Sequence, residues 1–397
     1  MPFLEPRDYD ITTLGDRQKC IPGPEPVLNT SGYVVKVCEP DLDSQTLLNV
    51  MEAIQTNWIS SRGEFLDEFE TSFAKKVGAL YGIAVNSGTS ALFLALAALG
   101  IKPGDEVIVP ASTMVSTAFA VNYLGATPVF VDCDEYYQIN PDLIEEKINP
   151  KTKAIIPVHI YGHPVDIDKI QAIAKKYKLD VIYDAAEAHG ALYKGESIGG
   201  KELASCYSFY GNKIITTGEG GMITTNDRGF AELVRNLKDV SFSKERHFWH
   251  KRLGYNFRMT NLAAAVGASQ VYRFNELVAK HISNAQIYMK ELEGIKGLRM
   301  PKTASWATNV YWMFGFEVEP EFGMTRDELR KYMADKGIET RTFFVPMHLQ
   351  PYYQQLDEHY PVAERLSAQG MYIPSASNLK LEDLLRVVQV IKDASIH

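Results

Sequence analysis

An α/β fold with a mainly parallel central sheet, joined to a smaller α+β C-terminal domain, is what this 397-residue sequence predicts. Three observations carry the prediction. From residue 32 to about residue 273, apolar runs of strand length alternate with stretches of helical period, the pattern of parallel strands covered on both faces by helices. Residues 275–292 then read as one long helical connector. After it the order changes to a strand followed by a helix, which fits a second unit. The expected division is an N-terminal extension at 1–32, a large domain at 33–274 and a small domain at 275–397.

In chain order, residues 1–32 hold five prolines and three glycines without long periodicity, and predict an extended arm, not a domain. Residues 85–99 read as a strand end, the small-residue turn Asn86-Ser-Gly-Thr-Ser90 and a strongly apolar helix. Strands are expected at 106–109, 128–131, 154–158, 181–183 and 206–209, with helical stretches such as 168–178 between them. The run 179–183 delivers Asp184 at the carboxyl end of its strand, where ligand sites form in open α/β sheets. Residues 206–209 are followed by a turn starting at Gly211, which puts Ser208 and Lys213 near the same rim. In the smaller domain, 310–318 is expected as strand and 325–336 as helix.

Lys213 stands in the aromatic, glycine-rich, nearly uncharged stretch from Ser208 to Met222, and the block Asp184-Ala-Ala-Glu187 lies 29 residues before it. A charged amine in such surroundings calls for a specific task. Pyridoxal phosphate needs an amine for a Schiff base and a carboxylate that keeps its pyridine nitrogen protonated, and Lys213 with Asp184 meets both needs. Taken alone, Asp184 also reads as a helix cap or turn former ahead of Ala185. The turn at Gly88, Thr89 and Ser90 supplies a third element, because backbone N–H groups and hydroxyls at a helix N-terminus favour an anion such as a phosphate, with Ser208 as an added hydroxyl. On its own that turn is ordinary capping.

The ordered motifs Asn86-Ser-Gly-Thr-Ser90, Val109-Pro-Ala-Ser-Thr113, Pro157-Val-His-Ile-Tyr-Gly162, Asp184-Ala-Ala-Glu-Ala-His-Gly190, Ser208-Phe-Tyr-Gly-Asn-Lys213 with Gly218-Glu-Gly-Gly-Met222, and Gly254-Tyr-Asn-Phe-Arg-Met-Thr-Asn261 resemble the DegT-type sugar-nucleotide aminotransferases, from about Val35 to the C-terminus. The resemblance implies a pyridoxal-phosphate transferase of the aspartate-aminotransferase-like fold. It implies Lys213 as Schiff-base lysine and proton carrier, Asp184 as partner of the ring nitrogen, Glu187 near the phenolic side of the ring, and Thr89, Ser90 and Ser208 on the phosphate. Asn256 would reach the phosphate of the neighbouring subunit, hence a homodimer with active sites at the interface; as a residue between Tyr255 and Phe257 it also reads as a plain turn former. Met114 stands where such enzymes usually carry a ring-stacking aromatic, so it either covers the cofactor through its sulfur or is simply core.

For the substrate, the segment 58–63 with Trp58, Ile59 and Ser60 is similar to the family's sugar-lining segment, and Arg258, His348 and residues 244–249 are further candidates. Arg246 and Arg258 match a diphosphate by their guanidinium forks, or serve as structural ion-pair partners. His159 and His189 read as core or rim histidines. The implied reaction passes an amino group from L-glutamate to the ketone of a nucleotide-diphosphate sugar. Residues 246–261 and 215–222 are most similar to family members that act on GDP-4-keto-6-deoxymannose in O-antigen and lipopolysaccharide biosynthesis, while enzymes of UDP- and dTDP-linked ketosugars share the catalytic set. A sugar dehydratase of this fold would resemble the chain with histidine at position 213, and a catalytically silent binding module would not need the intact Lys213, Asp184 and Gly88-Thr89-Ser90 set.

Composition narrows the setting. A formal charge of -8 disfavours a nucleic-acid footprint. No run of 18 apolar residues occurs, and the first residues carry neither a basic nor an apolar leader segment, so no membrane span or signal peptide is expected. Cys20, Cys38, Cys133 and Cys206 lack paired spacing, which predicts reduced thiols in a cytoplasmic protein and no metal site.

Overall fold

The computed structural model describes residues 11–23, 32–243, 245–246, 248–353 and 357–395. In chain order the first elements are α1 (Ser44–Gln55), α2 (Glu64–Lys76), β1 (Tyr81–Val85), α3 (Gly88–Ala98), β2 (Glu106–Pro110), α4 (Val115–Tyr123), β3 (Thr127–Val131), β4 (Thr152–Ile155), α5 (Ile167–Tyr177), β5 (Asp180–Asp184), β6 (Leu192–Tyr193), β7 (Glu196–Ser197), β8 (Ala204–Ser208), β9 (Gly221–Thr225), α6 (Arg228–Lys238), α7 (Asn261–Tyr272) and α8 (Phe274–Glu291). Seven strands form the main sheet in the order β1-β9-β8-β5-β4-β2-β3. The run β8-β5-β4-β2-β3 is parallel throughout, and β9 alone runs against both of its neighbours. The sheet is therefore mainly parallel, as the alternation predicts.

Each helix shows how it is covered. Every residue of α3 from Ser90 to Leu96 is buried, which explains a helix apolar all round. By contrast α5 is amphipathic: it buries Ile167, Ile170, Ile173 and Ala174 and carries Lys175 and Lys176 in its last turn, where cations suit the carbonyl end. The Asp166 side chain accepts from the Lys169 N–H at 3.2 Å to start α5, and Lys178, at φ 56°, ends it.

Beyond α8 the elements are β10 (Leu298–Arg299), β11 (Ala307–Thr308), β12 (Phe314–Val318), α9 (Arg326–Asp335), β13 (Arg341–Thr342), α10 (Pro361–Gln369), β14 (Gly370–Ile373) and α11 (Leu381–Ala394). Strands β10-β12-β14-β13 make an antiparallel sheet with its own core, in which Phe314, Phe316, Leu329, Met333, Val387 and Ile391 are buried. Helix α8 ties the two cores together, giving Phe274 and Leu277 to the first and Ala285 and Tyr288 to the second. Thr325 and Glu328 form a reciprocal cap at the start of α9.

Several expectations shift. The strand expected at 154–158 stops at Ile155, because Pro157 has no N–H for the ladder; its carbonyl instead accepts from the Asp184 N–H at 2.9 Å. The strand expected at 310–318 begins at Phe314. Strand β9 is not among the expected strands. The N-terminal segment is not an extended arm where it is described: Ile11–Cys20 is a 3-10 turn structure, kinked at Gly15, and it packs on α10 through a Ser367 hydroxyl bond to the Cys20 carbonyl of 2.6 Å. Residues 1–10 and 24–31 of that segment lie outside the described residues.

Candidate active site

Three chain reversals meet at the carboxyl edge of the main sheet. β5 ends on Asp184, β8 ends on Ser208, and β1 passes through Asn86 and Ser87 into α3. Between them lies a cavity of about 360 Å³ whose lining includes Ser87, Gly88, Thr89, Met114, Asp184, Glu187, Ser208, Lys213 and Trp312. The approach of α3 to β8 depends on Gly88, because a Cβ there would stand 2.8 Å from the Ser208 Cβ. Gly88 and Thr89 open the helix, so no earlier helical carbonyl takes their N–H groups.

Lys213 is reached by the turn after β8, where its N–H donates to the Tyr210 carbonyl at 2.9 Å. Its Nζ lies 3.6 Å from Glu187 Oε1, with both side chains almost wholly buried. Asp184 Oδ2 accepts from the Thr117 hydroxyl at 2.7 Å and Oδ1 from the Ala186 N–H at 3.1 Å. Glu187 Oε2 accepts from the Tyr161 N–H at 2.7 Å. Burial pushes the Lys213 amine below the ordinary lysine range, while Glu187 and then Asp184 pull it back up. Burial likewise pushes both carboxyls up, opposed at Asp184 chiefly by the Thr117 hydroxyl and at Glu187 chiefly by the Lys213 charge.

These residues fit pyridoxal phosphate. Two buried carboxylates face one amine, an excess of negative charge that a protonated ring nitrogen would balance, and the opposite wall offers helix N–H groups and hydroxyls to a phosphate. Bound there, the cofactor would supply an electron sink for the bonds next to a substrate nitrogen.

The predicted residues divide sharply. Lys213, Asp184, Glu187, Gly88, Thr89, Ser208 and Met114 come together at the cavity, and Met114, 49% exposed at the head of α4, is not core. Ser90 does not line it: its N–H and its hydroxyl are both bonded to the Ser87 hydroxyl, at 3.1 and 3.0 Å, and Ser87 takes its place on the wall. His348 is displaced altogether. It is buried against α10, with Nε2 3.0 Å from Glu364 Oε1 and its ring against Tyr360. Arg258 is held by Asp239 at 2.6 Å, and Arg246 lies over the Trp249 ring at 5.3 Å; neither lines the cavity of its own chain. Trp58, Ile59 and Ser60 sit on another face, where the Trp58 carbonyl accepts from Asn261 Nδ2 at 2.7 Å, and Asn256 is exposed in a bridge with Asp239. Lys244 and His247 of the 244–249 segment lie outside the described residues. His159 and His189 are buried core histidines, each pushed down to about 3 by burial. Thr117 and Trp312 carry no motif of their own and were missed; Tyr161 lies in the Pro157–Gly162 motif and Ser87 directly before a helix, signals that sequence reasoning assigned no role.

A family model described as the DegT/DnrJ/EryC1/StrS aminotransferase family matches residues 40–392. GDP-perosamine synthase of Escherichia coli O157:H7 is 40% identical over 360 residues, covering 90% of this chain and 98% of that protein. GDP-perosamine synthase of Caulobacter vibrioides is 42% identical over 357 residues, covering 89% and 96%. Among solved structures, S. venezuelae DesV superposes with a TM-score of 0.85 at 33% identity, covering 91% of this chain and 99% of that one.

Proposed function

We propose, from the premise that the chain belongs to the DegT/DnrJ/EryC1/StrS aminotransferase family, that it transfers an amino group from L-glutamate to GDP-4-keto-6-deoxymannose, giving GDP-perosamine. It is a pyridoxal-phosphate aminotransferase of nucleotide sugars. The observation that carries the reading is the convergence of Lys213, Asp184 and the start of α3 on one cavity. Lys213 holds the cofactor and moves the proton in each half of the reaction, since its neutral amine can take a proton and Glu187 beside it can hold the resulting charge. Asp184, fixed by Thr117 and Ala186, would hold a charge for the ring nitrogen. Gly88, Thr89 and Ser208 hold the phosphate. Met114, on the cavity wall at the head of α4, would cover the ring.

The substrate residues belong to this reading through a second copy of the chain. Trp58, Ile59, Ser60, Arg246, Arg258 and Asn256 all lie away from the cavity of their own chain, and α1 leaves Leu47, Leu48, Met51 and Ile54 exposed along one side. A homodimer would cover that apolar side and bring those residues to the partner's cavity. The reading extends to a cytoplasmic location, supported by four free cysteines, and to a supply of sugar for O-antigen and lipopolysaccharide. No helix among the described residues is long and apolar enough to cross a membrane.

Coupled assays with GDP-4-keto-6-deoxymannose and with UDP- and dTDP-linked ketosugars, each with L-glutamate, test it. The highest specificity constant is expected for the GDP sugar. A higher one for either other nucleotide would remove the GDP assignment and leave the aminotransferase in place.

A further inference from the structure

Lys213 has a neighbour besides its carboxylates. Its Nζ lies 3.5 Å from the centroid of the Trp312 ring, and Trp312 is itself buried. The same indole donates its Nε1–H at 2.7 Å to the Asn212 carbonyl, the oxygen of the peptide bond that leads into Lys213. The Cys38 thiol donates to that oxygen at 3.3 Å. One side chain therefore holds the lysine at both its backbone and its amine.

A single turn sets the two groups that face this amine. Tyr161 stacks on Trp312 with centroids 6.3 Å apart and planes at 18°, and from a left-handed backbone, φ 54°, its N–H reaches Glu187. Gly162, at φ 99°, lets the Trp312 segment dock on the same turn, because a Cβ there would meet Val310 Cγ2 at 2.7 Å and the Trp312 nitrogen at 3.0 Å. The Gly162 carbonyl accepts from the Val310 N–H at 3.1 Å.

We propose that Trp312 is a positioning residue for Lys213: its ring face parks the amine beside Glu187 whenever the lysine is not bonded to the cofactor, and its N–H fixes the peptide from which the lysine springs. The proposal rests on the function proposed above, in which Lys213 alternates between cofactor-bound and free. A lysine stem has four rotatable bonds, and a buried aromatic face is a directional partner for its cationic end. The titratable groups facing the amine are Glu187, Asp184, Cys38 and His189. The first three favour its charged form, as does the indole face, so loss of the indole favours the neutral amine.

The test uses the full-length protein stripped of cofactor and reloaded with pyridoxal phosphate at a series of pH values, with borohydride fixing the product and peptide mapping locating it. The neutral amine adds to the aldehyde carbon, and the carbonyl oxygen leaves as water with the two amine protons, so the initial rate follows the neutral fraction of the lysine. Trp312→Leu is expected to lower the midpoint of the rate profile by about 0.5 to 1.5 pH units, and Trp312→Phe, which keeps a face, by less. Should the leucine variant not fold, global replacement of tryptophan by fluorinated tryptophans keeps shape and N–H while draining the ring face, and the midpoint should fall with each added fluorine. An unchanged midpoint in folded Trp312→Leu protein, or across the fluorinated series, overturns the role of Trp312. A label on a lysine other than Lys213 overturns the proposed cofactor site instead.

Discussion

At the scale of single residues the site is a problem in placing charge without water. Asp184 is buried with one hydroxyl and one backbone N–H as its fixed donors, so its ionised form gains from the Lys213 charge and from a cation brought by what binds in the cavity. Asp184→Asn keeps the shape and one acceptor but cannot carry the charge. It is expected to retain cofactor on Lys213 and to lose about a hundred- to a thousandfold in kcat, the scale for removing an electrostatic partner from a reacting group. Steady-state kinetics beside an absorbance spectrum of bound cofactor would check this, and a loss under fivefold would count against the ring-nitrogen role. Lys213 and Asp184 were legible in the sequence because a charge inside an apolar or glycine-rich stretch needs a reason. Trp312 was not, since an aromatic residue inside a stretch expected as strand, 310–318, points to no chemistry of its own. His348 misled for the opposite reason: its motif says nothing of Glu364 on α10, which captures it.

Elements matter here through how closely their ends approach. The start of α3 and the end of β8 touch across Gly88, with the Ser208 Cβ 2.8 Å from where an alanine methyl would sit. Both sides of that contact are backbone or Cβ, so neither can rotate away. Gly88→Ala should therefore push the helix start off the strand, at a cost of about 1 to 3 kcal/mol shared between stability and cofactor affinity. Gly211→Ala is the matched control: it lies two residues before Lys213, and its nearest neighbour would be 3.9 Å away. Thermal midpoints and cofactor dissociation constants for both variants decide the matter, and equal behaviour of the two would refute the close-approach argument. The same logic explains what could be read of the fold. β2, β3 and β5 are built around the apolar runs Val107-Ile-Val109, Pro128-Val-Phe-Val131 and Val181-Ile-Tyr183 and were found; β9 is built of Gly221, Met222, Ile223, Thr224 and Thr225, and its burial comes from lying between β1 and β8 with α3 and α6 packed on it.

For the whole molecule, two properties emerge that belong to no single element. The first is assembly: in the proposed dimer, Asn256 of each chain serves the other's phosphate, so Asn256→Ala should weaken cofactor retention by about 1 to 3 kcal/mol, the scale of leaving a hydrogen-bonded group unpaired. Sedimentation with cofactor titration checks it, and a fully active monomer would end the idea. The second is acid sensitivity. His159 and His189 are held to about 3, and His163 and His281 to about 4, all chiefly by burial. In the unfolded chain each has its ordinary value of 6.5. Between pH 6.5 and 4 the unfolded chain therefore binds protons that the folded one refuses, and by linkage stability falls as pH drops through that window. The loss is about 1.4 kcal/mol per pH unit for each histidine once the pH is well below 6.5, and the raised carboxyls of Asp134, Asp184 and Glu187, which take up protons in the folded state, offset part of the sum. Composition alone could not foretell this, because nine histidines in a sequence do not say which are sealed between Tyr183, Phe73 and Trp306. Unfolding midpoints in urea at fixed protein and cofactor concentration should be level from pH 8 to 7 and decline continuously from pH 6.5 to 5; midpoints that stay level down to pH 5 would show that these histidines do not stay neutral in the folded protein.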